Sequence, residues 1–106
     1  MDRRKVKVDS AVRSFVVKVN KEFKPVKIIL FGSRAFGEPR EYSDYDFIVV
    51  SDNFKKVHWL KRIEQLVRCW ESDKPIDVLP YTLEEFEEKK KESSMIREAV
   101  KKGVEV

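Results

Sequence analysis

The sequence has one cysteine, one histidine and three glycines among its 106 residues. A single cysteine excludes an internal disulfide and fits a reducing compartment, and its amphipathic surroundings favour buried packing for Cys69 over work as a nucleophile. The histidine, His58, has no cysteine or histidine partner at the spacing of a metal site, so we expect it to be exposed. Chemistry based on disulfides or on cysteine–histidine metal clusters is therefore not expected.

Long apolar runs are also missing. None approaches the roughly 20 residues that cross a bilayer, and no hydrophobic signal region follows the basic N-terminus. We therefore expect a cytoplasmic protein without membrane contact, with one domain over 1–106. Positive charge is in slight excess, with 23 basic and 19 acidic residues and a net charge of +4. This is too little to indicate a nucleic-acid partner, and the sequence has no nucleic-acid-binding motif.

Helical and strand-like segments alternate along the chain, which predicts an α/β domain. Asp9 or Ser10 can cap a first helix that Pro25 ends. We expect three strands, at 26–31, 47–50 and 76–79, with Pro80 closing the third, and a loop at 38–43. The apolar residues of the first helix fall at helical spacing: Val12, Phe15, Val16, Val19 and Phe23.

The second half of the chain predicts more helices. A turn cluster at 51–53 precedes a helix with a buried stripe, Thr82 and Glu85 form a capping box for another, and Gly103 ends the last. Trp59 lies off the stripe, either at an exposed edge of the core or as a partner contact. The stripe consists of Val57, Leu60, Ile63, Val67 and Trp70.

The most informative stretch lies between the first two strands. Gly32 follows an apolar run and allows a tight turn close to a phosphate, and Ser33 is positioned to cap a short helix whose N-terminus favours an anion. Asp44 and Asp46 open the second strand, where residues i and i+2 share a face. Their Cα atoms would be about 6.5–7 Å apart, so both carboxylates can reach one hard cation or a close pair. Tyr45, between them, should point into the core on the opposite face.

A third acid, Asp77, interrupts the apolar run of the third strand. It can be an outward-facing acid on an edge strand, but an acid among apolar residues is costly unless it is paired or bound to metal. Because two carboxylates already lie on the neighbouring strand, we favour the metal interpretation.

These residues together resemble a known signature. Residues 32–37 read Gly-Ser-Arg-Ala-Phe-Gly and residues 43–46 read Ser-Asp-Tyr-Asp, similar to the polymerase-beta-type nucleotidyltransferases. More narrowly, they resemble the minimal nucleotidyltransferases that act as antitoxins beside HEPN-domain toxins. The chain departs from the pattern at Phe36, where the family usually has arginine, although Arg34 lies two residues earlier.

The resemblance implies a fold, a site and an activity. The fold would be a short mixed sheet, three-stranded or extended, flanked by helices. Asp44, Asp46 and Asp77 would bind two Mg²⁺ ions and act in catalysis, with ATP as the substrate. Gly32, Ser33 and Arg34 would bind the nucleotide phosphates. The protein would transfer AMP to a hydroxyl, expected to be a tyrosine, of a HEPN toxin.

Two other functions stay open. Because Phe36 stands in place of arginine, the hypothesis of a non-catalytic antitoxin, which neutralises its partner by forming a complex, stays open. Transfer directed to RNA or to a small molecule has no recognition motif to support it. A homodimer is compatible with the sequence.

Overall fold

The computed structural model describes residues 9–37 and 43–106. The expected lead-in before Asp9 and, apart from Ser43, the expected loop at 38–43 lie outside these residues. A short 3₁₀ turn at Asp52–Phe54 follows the second strand. The helices and strands are α1 (Ser10–Phe23), β1 (Lys27–Phe31), α2 (Ser33–Phe36), β2 (Tyr45–Val50), α3 (Trp59–Val67), β3 (Ile76–Tyr81), α4 (Leu83–Glu92), α5 (Ser94–Lys102) and β4 (Val104–Glu105).

The strands form a mixed sheet in the order β3-β2-β1-β4. The pairs β1–β2 and β1–β4 are antiparallel, and β2 and β3 are parallel. This confirms the α/β class and the mixed sheet, with four strands in the described residues instead of three. The additional strand depends on Gly103, because a Cβ there would lie 2.4 Å from the Ala99 carbonyl oxygen and 2.8 Å from that of Leu30. Glycine lets the chain leave α5 so close to β1 that it pairs with that strand at once.

Helices cover both faces of the sheet. On one, the α1–α3 face, Phe15 of α1 packs against Phe47 of β2 with ring centroids 4.5 Å apart, and Leu66 of α3 is fully buried. On the other, the α4–α5 face, Phe86 of α4 and Ile96 of α5 belong to a second apolar cluster. The helical face predicted for α1 is confirmed, and Asp9 caps it by accepting a hydrogen bond from the Val12 N–H at 3.0 Å.

The stripe predicted for the second amphipathic helix is wrong in part. Leu60 is 67% exposed and Val67 is 42% exposed, whereas Arg62 and Leu66 are buried. The chain forms a 3₁₀ turn at Asp52–Phe54 and a further turn before α3 begins at Trp59. The buried side of the helix is therefore rotated from the predicted one. A buried arginine gives no apolar signal, because its burial depends on partners from other elements.

Pro80 does not close the third strand, which continues to Tyr81. β3 pairs with β2 on one side and lies at an edge of the sheet, where a residue without an N–H is tolerated. The predicted capping box at Thr82 and Glu85 is confirmed, and Cys69 is buried as expected.

Candidate active site

Gly32 makes the turn between β1 and α2. Its backbone has φ 78° and ψ −162°, a region that is essentially restricted to glycine. A Cβ at this position would lie 2.4 Å from Oδ2 of Asp46. Glycine is therefore required for the conformation and for the close approach of the turn to this carboxylate. The prediction that Ser33 caps the helix is wrong, because Gly32 is the cap residue and α2 has no side-chain cap hydrogen bond.

Asp46 and Asp77 lie side by side on the parallel strands β2 and β3. Their Cα atoms are register partners, and adjacent strands are about 4.8 Å apart. Side chains alternate along a strand, so Asp46 shares a face with Ile48, and Asp77 shares one with Leu79. Ile48 belongs to the apolar cluster of the α4–α5 face, here called the α4–α5 cluster, and Leu79 packs against it. The two acids thus project from the same face of the sheet.

Asp44 immediately precedes β2 and is exposed. Burial is the largest cause that raises the pKa of Asp46, to about 6, and the charges of Asp77 and Asp44 add to it. Asp77 and Asp44 therefore lie close enough to Asp46 for their charges to repel its ionised form. A bound divalent cation would remove this cost.

The carboxylates at this site suit a magnesium ion that shares its ligands with a substrate. Among residues 9–37 and 43–106, no three side chains of the histidine, cysteine and acid types converge closely enough to hold an ion by themselves. Magnesium rarely needs such a cage, because it keeps several waters and is usually held by one or two carboxylates together with substrate phosphates. Asp46 and Asp77 supply two adjacent carboxylates, so the residues fit an Mg²⁺ ion that arrives with a nucleotide.

Two apolar side chains, of Phe31 and Leu79, lie beside the acids, and they were not identified from the sequence. Phe31 is the register partner of Asp46 on β1, and Leu79 follows Asp77 by two residues. Both are half-buried and pack against the α4–α5 cluster. The signal was present in the strand alternation, but the register between strands that brings these residues beside the acids could not be read from the sequence.

Arg34, on α2, contacts the residues at the start of β2. Its Nε and Nη2 donate to the Ser43 carbonyl oxygen at 3.3 and 3.1 Å, and its guanidinium carbon is 4.3 Å from the centre of the Tyr45 ring. Tyr45 is buried, as predicted, and its hydroxyl donates to Oδ2 of Asp9 at 2.5 Å. Asp9 was expected only as a helix cap, and its link to Tyr45 joins residues 36 positions apart.

Phe36, at the position where the resembling family has arginine, is 46% exposed. The Lys102 ammonium, from the end of α5, lies 5.9 Å from the centre of the ring. A cation from another element therefore lies near this position, although it also pairs with Glu98 at 2.9 Å. We could not have predicted this contact, because it depends on how α5 packs against the sheet.

The fold and the acids define a class: a small α/β domain with a glycine turn packed against carboxylates at the entry to two parallel strands. A family model described as "Nucleotidyltransferase domain" matches residues 12–106. The chain therefore belongs to the nucleotidyltransferase domain family. None of the curated proteins compared with the chain matches it.

Solved structures with the same fold are similar at low identity. A protein from Sulfolobus solfataricus, provisionally assigned as a nucleotidyltransferase, is 21% identical with a TM-score of 0.58, and the match covers 99% of this chain and 89% of that one. BolA1 from Arabidopsis thaliana is 17% identical with a TM-score of 0.57, covering 80% and 98%. The BolA domain of SufE1 from the same plant is 16% identical with a TM-score of 0.60, covering 74% and 99%. These likenesses concern the fold alone.

No helix in the described part of the chain is long and apolar enough to cross a membrane.

Proposed function

We propose that the protein transfers AMP from Mg-ATP to a hydroxyl group of a partner protein. The observation that carries the proposal is the pairing of Asp46 with Asp77 in register, with the Gly32 turn packed against Asp46. Family membership supports nucleotidyl transfer in general. The choice of ATP and of a protein acceptor rests on the resemblance of residues 32–46 to the minimal nucleotidyltransferases.

The chain offers groups for each part of the reaction. The turn at Gly32 and the start of α2 at Ser33 present backbone N–H groups that suit phosphate oxygens. Asp44, Asp46 and Asp77, together with the phosphates of the nucleotide, would hold two Mg²⁺ ions, which would neutralise the triphosphate and lower the pKa of the attacking hydroxyl. The hydroxyl oxygen forms a bond to the α-phosphorus, the bond from that phosphorus to the bridging oxygen breaks, and pyrophosphate leaves. Asp77, exposed at the sheet edge, accepts the hydroxyl proton.

The acceptor proposed is a tyrosine of a HEPN toxin, which the transfer would silence. The support is the motif resemblance together with the exposed aromatic ring of Phe36, four residues from Gly32 in the chain. Exposed aromatic side chains are frequent at protein interfaces.

The experiment uses the purified protein, ATP labelled at the α-phosphate and Mg²⁺, with and without the protein encoded by the neighbouring gene, which the proposal expects to be of the HEPN type. We expect label on the neighbour protein and a loss of label in Asp46→Asn and Asp77→Asn. Asp73→Asn is the matched control, because Asp73 is an exposed aspartate in the turn before β3. It should transfer label as the wild type does.

The alternative is an antitoxin that works by complex formation, and Phe36 in place of arginine is the observation that favours it. A stable complex that carries no label, and neutralisation that survives Asp46→Asn, would establish the alternative. Label on RNA or on a small molecule in the absence of the neighbour would refute the protein acceptor.

A further inference from the structure

We infer that Arg34 is a positioning residue, which holds the segment 43–46 in place from the face of the sheet opposite the carboxylates. The inference deepens the proposed function and rests on it for the role of the acids. It gives Arg34 a different task from that of its neighbour Ser33, although both lie in the first turn of α2.

The guanidinium of Arg34 contacts both the backbone and a side chain of this segment. It donates from Nε and Nη2 to the carbonyl oxygen of Ser43, the residue before Asp44. Its guanidinium carbon lies over the ring of Tyr45, 4.3 Å from the ring centre, which is within the range of a cation–π contact. One side chain thus fixes both the backbone before Asp44 and the side chain after it.

Tyr45 is also held by other elements. Its hydroxyl donates to Asp9 at the N-terminus of α1, and its backbone N–H donates to the Pro75 carbonyl oxygen at 2.9 Å. Its ring lies 4.9 Å from that of Trp70. Because side chains alternate along a strand, a fixed Tyr45 fixes the direction in which Asp44 and Asp46 leave the opposite face.

The position of Arg34 also connects the two halves of the site. Arg34 lies two residues after Gly32, whose turn contacts Asp46, and the bonds to Ser43 cross from α2 to the start of β2. The expected consequence is a constant distance between the phosphate-binding turn and the carboxylates. A guanidinium is suited to this task because it can donate in its plane while its face stacks on a ring.

The test compares Arg34→Met and Arg34→Lys with the control Arg68→Met, since Arg68 is an exposed arginine that pairs with Glu64 on α3. The first readout is amide hydrogen exchange in the segment 43–46 of the free protein, which needs no transferase activity. We expect exchange there to be about tenfold faster in Arg34→Met than in the wild type. In Arg34→Lys it should be nearly as fast as in Arg34→Met, because lysine lacks the planar face of arginine. The control should not change it.

The second readout separates kcat from KM in the labelled-ATP assay. A carboxylate displaced by a fraction of an ångström should lower kcat about tenfold to a hundredfold, with little change in the KM for Mg-ATP. Tyr45→Phe keeps the ring but removes the bond to Asp9, and it should change kcat in the same direction by a smaller factor. In the double variant, Tyr45→Phe should lower kcat by a smaller factor than it does in the wild type, because both substitutions act through Tyr45.

Two results would overturn the inference. A KM for Mg-ATP that rises about tenfold, with unchanged exchange at 43–46, would make Arg34 a direct phosphate ligand. Unchanged exchange and unchanged kcat would leave it without the positioning role. If the wild type transfers no label, the proposed function fails, whereas the exchange experiment still decides whether Arg34 holds the segment.

Discussion

Asp46 carries a negative charge at a half-buried position, with Asp77 in register beside it and Asp44 nearby. Its pKa is raised from 3.8 to about 6, chiefly by burial. The folded protein therefore binds more protons than the unfolded chain between these pH values, and its stability falls as the pH rises through this window. In the metal-free protein, Asp46→Asn should remove this loss.

We expect metal-free Asp46→Asn to be more stable than the wild type at pH 7.5 by about 1 kcal/mol, reduced from the full shift because solvent screens a half-buried charge. Thermal unfolding in a chelator at pH 7.5 and at pH 4 measures this. The difference should shrink to a small fraction at pH 4, because the folded carboxyl is then protonated and the pH is close to the unfolded-state pKa of 3.8. Equal stability at both pH values would show that the charge carries no cost.

Gly32→Ala tests the turn. A methyl group would meet Oδ2 of Asp46 at 2.4 Å, and alanine rarely adopts the backbone conformation of this residue, with φ 78°. The strain should cost roughly 1–3 kcal/mol. Because the contacted atom ends a side chain that can rotate away, the displaced carboxylate should lower transfer at least about a hundredfold.

Urea unfolding and the labelled-ATP assay, each against the wild type, separate the two effects of Gly32→Ala. Gly37→Ala provides a comparison, because the three atoms nearest to its Cβ all belong to Ser33, at 3.1 Å or more, and none of them to Asp46. Transfer by Gly32→Ala at the level of Gly37→Ala would contradict the assigned contact.

The sequence was sufficient to find the candidate acids, because their signal is local. Gly32, Asp44 and Asp46 lie within one short stretch, and Asp77 is conspicuous as an acid in an apolar run. What could not be predicted depends on register and on long-range contacts. The approach of Gly32 to Asp46 and the bond from Tyr45 to Asp9 join residues from different elements, and no periodicity encodes them.

Arg62 joins three elements at the C-terminal end of β3. Its Nε donates to the Val57 carbonyl oxygen at 2.8 Å, and its Nη1 donates to that of Pro80 at 3.2 Å. It also binds both carboxylate oxygens of Glu85, at 2.6 and 3.2 Å. Glu85 completes the capping box of α4 by accepting from the Thr82 N–H. The buried arginine therefore links α3, β3 and the start of α4.

Arg62→Leu should destabilise the protein by about 2–4 kcal/mol, because it leaves two carbonyl oxygens and part of a carboxylate without their donors. Equilibrium urea unfolding measures the change. Arg68→Leu, at the exposed C-cap of the same helix, should cost less than about 0.5 kcal/mol. A similar cost for both variants would contradict the linking role of Arg62.

The same residue explains where prediction of the elements failed. Helical spacing located α1 and α3 but not the buried side of α3, because Arg62 is buried through its partners and Leu60 is left exposed. β4 was not predicted because a strand of two residues, Val104 and Glu105, is too short to give an alternation signal. Its existence depends on the turn at Gly103 and on the free edge of β1.

The overall architecture does not by itself select a function. Similar folds occur in a protein provisionally assigned as a nucleotidyltransferase and in two BolA structures, at comparable TM-scores. A fold can host unrelated activities, so the function must be argued from the Gly32 turn and the acids. The decisive property of the whole protein is whether this site takes up a metal-bound nucleotide.

Binding of Mg²⁺ with a non-hydrolysable ATP analogue should raise the unfolding temperature. A ligand at 100 times its Kd stabilises the folded state by about 2.7 kcal/mol, which for a domain of this size corresponds to a shift on the order of 10 °C. The analogue with a chelator should give a much smaller shift, because the phosphates would then face the uncompensated charges of Asp44, Asp46 and Asp77. Asp46→Asn should lose most of the Mg²⁺-dependent part, whereas Asp73→Asn should keep it. A wild-type protein that shows no Mg²⁺-dependent shift at millimolar analogue would have the family's fold without its nucleotide site, and complex formation with a partner would then be the function to pursue.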